Sequence, residues 1–388
     1  MIKKKTLTTT HGKSIADNRN LITTGPYRSF SIGYYQLFGE ITAFDRERTP
    51  ERIVDVESSG AAGNRWGIVL AGGDGTRLRS LTKLISGDDR PKQFCRILGE
   101  ESLLERTIKR VELGIPNKNI LISLTRSHER FYSSLYRKFN KEQLIIQPAN
   151  LGTAPAILYA LLRIANVDTE ASVTFFPSDH YLSDDRAFMD QVNAAFEIVG
   201  TVRGKIVLLG ITPEHPETEY GWIEPYLLSS NKETESIRRV LRFWEKPSKD
   251  LAIQLMNKGC LWNSFVMAGR VSTFLNMMRR SLPDLYYEFQ LIRNIIAPSA
   301  EDAIDSLYEK LTPTNFSHRV LEACAEDLMV LKVRNVDWCD LGEPRRVLTT
   351  LENMGINTEW TVTAEGLVRK ARPHQTIPLG NHVDGKQM

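Results

Sequence analysis

The sequence predicts an α/β protein built on a mixed, mainly parallel sheet with helices on both faces. Three observations predict it. From Trp66 onward, short apolar runs alternate with helical patterns, the rhythm of βα units. The first run, Ile68 to Ala71, lacks polar alternation, as a strand covered on both faces does. The polar clusters "AGGDGTR", "QPANLGT" and "PSDH" each follow an apolar run, at strand carboxyl ends, where such sheets hold ligands.

Taken in order, "GIVLA" is the first strand, and "SLLERTIKRVEL" is a helix with Leu104, Ile108 and Val111 on one face. "NILISL" and "QLIIQP" read as strands around the helical "SHERFYSSLYRKF". "APAILYALLRIANV" is a helix, followed by the strand "ASVTFFPSD", the helix "DQVNAAFEIVG" and the strand "KIVLLGI". From about residue 220 the pattern changes to the aromatic strands "YGWIEPYLL", "IRRVLRFWEKP" and "CLWNSFVMAG". A helical stretch over about 271–310 and a strand-turn, "VLKVRNVDWCDLGEP", close the domain. Three regions result: an N-terminal extension (1–63), the main domain (64–355) and a tail (356–388) with strand character in "EWTVTAEGLVRKA". The extension is a polar patchwork around one apolar island, "SFSIGYYQLFGEITAF"; it reads as mostly flexible, with the island open to the alternative of a segment that docks on the main domain or a partner.

Composition sets broad limits. The 388 residues are 41% hydrophobic and 25% charged, with net charge +3, an ordinary globular balance without the basic footprint of nucleic-acid binding. Cys95, Cys260, Cys324 and Cys339 lack metal-knuckle or redox spacing and are expected to be free thiols. No apolar run approaches the ~20 residues of a membrane span, and the basic start leads into polar sequence. A cytoplasmic protein is expected.

The chemistry concentrates in "LAGGDGTRLRSLT", residues 70–82. Gly72, Gly73 and Gly75 let the chain turn and bring its amides to an anion, and Thr76 and Arg77 add a hydroxyl and a planar cation. A P-loop needs Lys after the last glycine, and a dinucleotide fingerprint needs glycine where Leu78 stands; neither fits. The string "GGDGT" also matches lipid and nicotinamide-nucleotide kinases. Farther on, Asp179 in "FFPSDH" follows a buried strand, where a carboxylate is costly unless it meets a cation.

With "TRL" and the downstream "RPKQF", the sequence resembles the sugar-nucleotide pyrophosphorylases, and within them the mannose-1-phosphate guanylyltransferases, over roughly residues 65–360. The resemblance implies a GT-A-like, Rossmann-like fold that transfers GMP from GTP to mannose 1-phosphate, releasing pyrophosphate. It makes Arg77 and Lys92 the catalytic cations on the triphosphate, and Asp179 and Asp340, the latter in "VDWCDLG", the Mg²⁺ ligands. The nucleotide would lie on Leu70, Gly72, Gly73, Gly75 and Thr76, and on Gln147, Gly152 and Thr153 of "QPANLGTAP". There Gln147 would present an amide to the base, while Asn150 and Thr153 could also cap the helix that follows. Leu151 stands where many guanylyltransferases carry Arg.

The sugar phosphate would meet Gly221, Glu245, Lys246 and Asn263, in "ETEYGWIE", "FWEKP" and "LWNS". Glu219 takes a position where some relatives have Gly. Trp222, Trp244 and Trp262 are expected in the core. Some relatives add a phosphomannose isomerase domain, but too few residues follow about 345 for one here, so transferase activity alone is expected. The expected partners are GTP and mannose 1-phosphate, with no nucleic acid and no membrane; a homo-oligomer is left open. The alternatives are a uridylyl-, adenylyl- or thymidylyltransferase acting on glucose 1-phosphate, and a non-catalytic sugar-nucleotide-binding regulator.

Overall fold

The computed structural model describes residues 65–226, 237–293, 301–358, 360, 361, 363 and 364. The proposed extension (1–63) therefore lies outside the described residues. In chain order the first half contains β1 (Arg65–Leu70), α1 (Arg79–Ser86), α2 (Leu103–Glu112), β2 (Ile120–Thr125), α3 (Glu129–Tyr132) and β3 (Leu144–Gln147). Then come α4 (Thr153–Ala165), β4 (Ser172–Pro177), β5 (Tyr181–Leu182), α5 (Asp185–Thr201) and β6 (Ile206–Ile211). The aromatic region gives β7 (Gly221–Pro225), β8 (Ile237–Glu245), α6 (Lys249–Asn257) and β9 (Leu261–Arg270). The chain continues with α7 (Val271–Ser281), α8 (Pro283–Leu291), α9 (Glu301–Tyr308), β10 (Leu328–Lys332), β11 (Trp338–Cys339) and α10 (Pro344–Asn353).

Nine strands form one sheet in the order β3-β2-β1-β4-β9-β6-β10-β8-β7, and β5 pairs with β11 apart from it. β1 is parallel to β2 and β4, β2 to β3, and β6 to β10, whereas β8 and β9 run antiparallel to their neighbours. The sheet is thus mixed but mainly parallel in direction. Ile68 and Val69, consecutive on β1 and both fully buried, point into different cores, because both faces carry helices. One core takes residues of α4, α7, α8 and α9, the other those of α2 and α5. Leu104, Ile108 and Val111 all enter the second core. α2 starts at a capping box in which Ser102 accepts from Glu105 N–H, which explains its sharp beginning.

Three elements differ from the sequence reading. The helical pattern at 127–139 gives the single turn of α3 between two 3₁₀ turns, Arg126–His128 and Ser133–Arg137, rather than one helix; the Ser pair there is a poor helix former. The stretch 271–310 is broken at Leu282, which adopts φ −137° ahead of Pro283, as the ring of a following proline demands. In the tail, the described residues Trp360, Thr361, Thr363 and Ala364 are helical rather than strand-like. Trp360 and Ala364, four apart, both reach a third core with Leu78, Leu103, Leu341 and Leu351, and that spacing favours a helical turn.

The four cysteines are unbridged, and among the described residues no helix is long and apolar enough to cross a membrane. Trp222 and Trp262 are buried as expected, edge to face with each other; Trp244 is half-buried and donates to Glu224.

Candidate functional site

A cleft of about 410 Å³ opens where the turns after β1, β3 and β4 meet the β7–β8 ribbon. The ribbon reaches it because Trp222 of β7 pairs with Trp262 of β9, which sets Gly221, the partner of Glu245, close to Asn263. The cleft is lined by Leu70, Gly72, Gly73, Gln147, Gly152 and Thr153 on one side and by Gly221, Glu245 and Asn263 on the other. Asp179 and Asp340 line it as well. Gly75, Thr76, Arg77, Lys92 and Lys246 do not.

The glycine-rich turn is held from beneath. Gln93 Nε2 donates to the carbonyls of Ala71 (3.1 Å) and Gly73 (2.7 Å), so the Gln of "PKQF" fixes the turn's shape. A Cβ on Gly72 would lie 2.9 Å from both Gln147 Nε2 and Thr125 Oγ1, and Gly75 sits at φ 57° with Lys92 N close behind it. Thr76–Leu78 then form a 3₁₀ turn that leaves Arg77 outside the cleft lining. Its Nη1 nevertheless lies 3.3 Å from the carboxylate of Glu219, which does line the cleft. Asp74 is tied across the turn by Asn150 Nδ2 at 2.8 Å and by His128 Nε2 at 3.1 Å.

At the end of β3, the Gln147 amide is already committed: its nitrogen donates to Ser123 Oγ (3.1 Å) and its oxygen accepts from Tyr308 Oη (3.2 Å). The expected free amide edge is therefore turned to the protein, because the side chain sits at the end of a buried strand and must find partners there. The expected caps differ too. α4 begins at Thr153 with Gly152 as its N-cap and no side-chain cap; Thr153 Oγ1 accepts instead from Phe316 N, and Asn150 Oδ1 from Gly152 N.

Lys92, almost wholly buried, stands between the two candidate metal ligands. Its ammonium is 3.2 Å from Asp179 Oδ2 and donates to the main-chain carbonyls of Asp340 and Leu341. Asp340 Oδ1 accepts from Tyr220 Oη (2.8 Å) and Gly342 N (2.9 Å), with Arg346 Nε at 3.2 Å. Burial works to raise the Asp340 carboxyl, yet Lys92, Arg346 and the Tyr220 hydroxyl outweigh it and hold it below the usual range. Arg346 also bonds Glu217 at 2.6 Å. His180 is brought down to about 4 by burial and accepts from Trp338 Nε1 at 3.2 Å, so it is neutral at pH 7. On the β7–β8 ribbon, burial pushes the Glu245 carboxyl up, Lys246 opposing and Glu322 adding to it.

Sequence reasoning misses Tyr220, Glu217, Arg346 and Trp338. They act through contacts between segments more than 100 residues apart, and no local spacing announces such contacts.

Two carboxylates on one cleft, one of them with Oδ2 outside the bonds made by Oδ1, suit Mg²⁺, which takes one or two carboxylates and completes its shell with substrate phosphates and water. Among the described residues no cluster of three or more His, Cys, Asp or Glu forms a self-sufficient metal site. The donor set therefore fits an ion that arrives with phosphate.

Known proteins are similar to this chain in sequence and fold. A Thermus thermophilus crystal structure described as mannose-1-phosphate geranyltransferase is 27% identical, with TM-score 0.64, covering 76% of this chain and 80% of that one. It bears out the α/β, GT-A-like architecture. "Mannose-1-phosphate guanylyltransferase 2" of Escherichia coli O157:H7 is 32% identical over 229 residues, 56% of this chain and 46% of that protein. "Alginate biosynthesis protein AlgA" of Pseudomonas fluorescens is 30% identical over 225 residues, 56% of this chain and 44% of that protein. The chain spans about half the length of the curated relatives it matches. The profile of the family described as "Nucleotidyl transferase" matches residues 66–354, the sheet and every segment that builds the cleft, and the chain belongs to that family.

Proposed function

We propose that this protein is a mannose-1-phosphate guanylyltransferase, transferring GMP from GTP to mannose 1-phosphate with Mg²⁺ and releasing pyrophosphate. The observation that carries the reading is the convergence on one cleft of the glycine-rich turn, both acidic residues and the sugar-side set Gly221, Glu245 and Asn263. Relatives bearing that activity's name support the choice of substrates.

In this reading the amides of Gly72 and Gly73 meet the triphosphate, with Arg77 and Lys92 supplying positive charge. Asp179 and Asp340 would hold Mg²⁺, which neutralises phosphate charge when bound. The Gln147 amide and the Gly152 N–H are both engaged, which leaves the main chain at Thr153 and the Gly152 carbonyl to meet the base. Glu245 and Asn263 accept from and donate to sugar hydroxyls, and Lys246 holds the sugar phosphate. The chain's contribution is to align the sugar phosphate oxygen with the α-phosphorus and to meet developing charge.

Pyrophosphate release, with each nucleoside triphosphate crossed against mannose 1-phosphate and glucose 1-phosphate, with and without Mg²⁺, tests this. Release confined to GTP plus mannose 1-phosphate with metal is expected. Release with another pair would overturn the substrates and keep the reaction. Silence in every pair would overturn both.

A further inference from the structure

Arg77 and Lys246 come from different motifs, one beside the glycine-rich turn and one after β8, yet they meet the same atom. Arg77 Nη1 is 3.3 Å and Lys246 Nζ 3.4 Å from Glu219 Oε2. Glu219 lines the cleft between them. From this geometry we infer that Glu219 is a built-in competitor for phosphate: its carboxylate occupies the cation pair until a substrate phosphate displaces it, and so sets the affinity for phosphorylated substrate. The inference rests on the function proposed above.

The backbone that carries Glu219 is tied down on several sides. Glu219 N–H donates to Glu217 Oε1 at 2.8 Å, and the other Glu217 oxygen is bonded to Arg346 at 2.6 Å. Trp222 Nε1 donates to the Glu217 carbonyl at 2.8 Å, and Tyr220 Oη to Asp340. None of these bonds uses the Glu219 side chain. Lys246 is fixed in turn at φ 48°, a left-handed conformation costly to a residue with a Cβ, and its N–H donates to the Tyr220 carbonyl. Two cations are thus presented to one point, so a phosphate drawn to either of them, the triphosphate at Arg77 or the sugar phosphate at Lys246, competes with the same carboxylate. All three side chains are about half exposed, so the ion pairs are weak and exchangeable. A phosphate dianion carries more charge than a carboxylate and can displace it.

Glu219→Gln removes the charge with little change in shape, and Glu219→Gly removes the side chain. Both leave the bonds that hold the loop, so both variants are expected to fold. In the steady-state assay, KM for mannose 1-phosphate is expected to fall about 2- to 5-fold, the effect of losing one modest ion-pair competitor, with kcat no lower. The difference should shrink as salt is raised, because exposed charges are screened. A KM that is unchanged or raised in Glu219→Gln would overturn the inference and leave the proposed function standing. Calorimetric titration with inorganic pyrophosphate keeps the two apart even if the wild type turns over no substrate pair. Tighter pyrophosphate binding by Glu219→Gln supports the inference; equal or weaker binding overturns it.

Discussion

The Lys92 ammonium lies 3.2 Å from the Asp179 carboxylate, deep enough that only 11% of the lysine side chain is exposed. It also donates to the carbonyls of Asp340 and Leu341, so one cation joins the two segments that carry the acidic residues. Lys92→Ala should therefore act twice. Turnover is expected to fall on the order of 10², by analogy with loss of one donor to developing charge. Stability is expected to fall by about 1–3 kcal/mol, because two carbonyls and a partly exposed carboxylate lose their donor. Single-turnover rates and urea unfolding separate the two effects. Lys92→Ala combined with Asp179→Asn should recover part of the stability and none of the turnover. A folded Lys92→Ala protein with wild-type turnover would leave Lys92 a structural ion pair.

Gln93 shapes the glycine-rich turn without lining the cleft. Gln93→Leu keeps roughly the same volume and removes both hydrogen bonds. Its cost should be about 1–2 kcal/mol in urea unfolding, with a GTP KM several-fold to tenfold higher. If nucleotide affinity stays at wild-type level while stability drops, the turn does not depend on Gln93 for its geometry.

Much of this is legible in the sequence because the signals are local. Ile68 and Val69 without polar alternation mark the doubly covered strand, and the polar clusters at 70–77, 147–153 and 177–180 fall at strand ends beside one cleft. Positions fixed by long-range contacts are not legible. The position of Gln147 in a polar cluster suggests a ligand contact, but its partners Ser123 and Tyr308 come from β2 and α9. Glu219 looks like a departure from pattern, and only the fold sets Arg77 and Lys246 on it. The tail reads as a strand from its alternation, whereas packing of Trp360 and Ala364 on the third core favours a helical turn.

Gly152 and Gly87 both have positive φ, 85° and 76°, but in different surroundings. A Cβ on Gly152 would lie 2.5 Å from the Thr314 carbonyl oxygen, whereas one on Gly87 would meet nothing within 4 Å. Gly87→Ala should cost only the left-handed strain, about 1–2 kcal/mol. Gly152→Ala should cost clearly more, roughly 3 kcal/mol or above, because backbone must also move. The Leu151–Thr314 and Thr314–Ala154 main-chain bonds would be disturbed with it, so nucleotide affinity should fall as well. Equal losses for the two variants in urea unfolding would mean that the 152–314 contact relaxes without cost.

Glu245 sets stability against function. Burial raises its carboxyl, with Lys246 opposing and Glu322 adding to the rise. A carboxyl raised in the folded state contributes stability that is fully present below its unfolded value and is lost as pH rises through the folded value. Above its folded value the ionised, half-buried Glu245 is thus a net cost. Glu245→Gln is expected to raise Tm there by about 2 °C, the scale of a change near 1 kcal/mol in a domain of this size. That gain should shrink as pH is lowered toward the ordinary glutamate range, where the wild-type carboxyl also becomes neutral. In the proposed function the same substitution exchanges one of two acceptor oxygens facing the sugar hydroxyls for an amide donor, so KM for mannose 1-phosphate should rise while Tm rises. Melting curves from pH 5 to 8 read the first effect and initial rates the second. A Tm difference that is absent at pH 7.5, or that grows on acidification, would show that the Glu245 carboxylate is well compensated by Lys246.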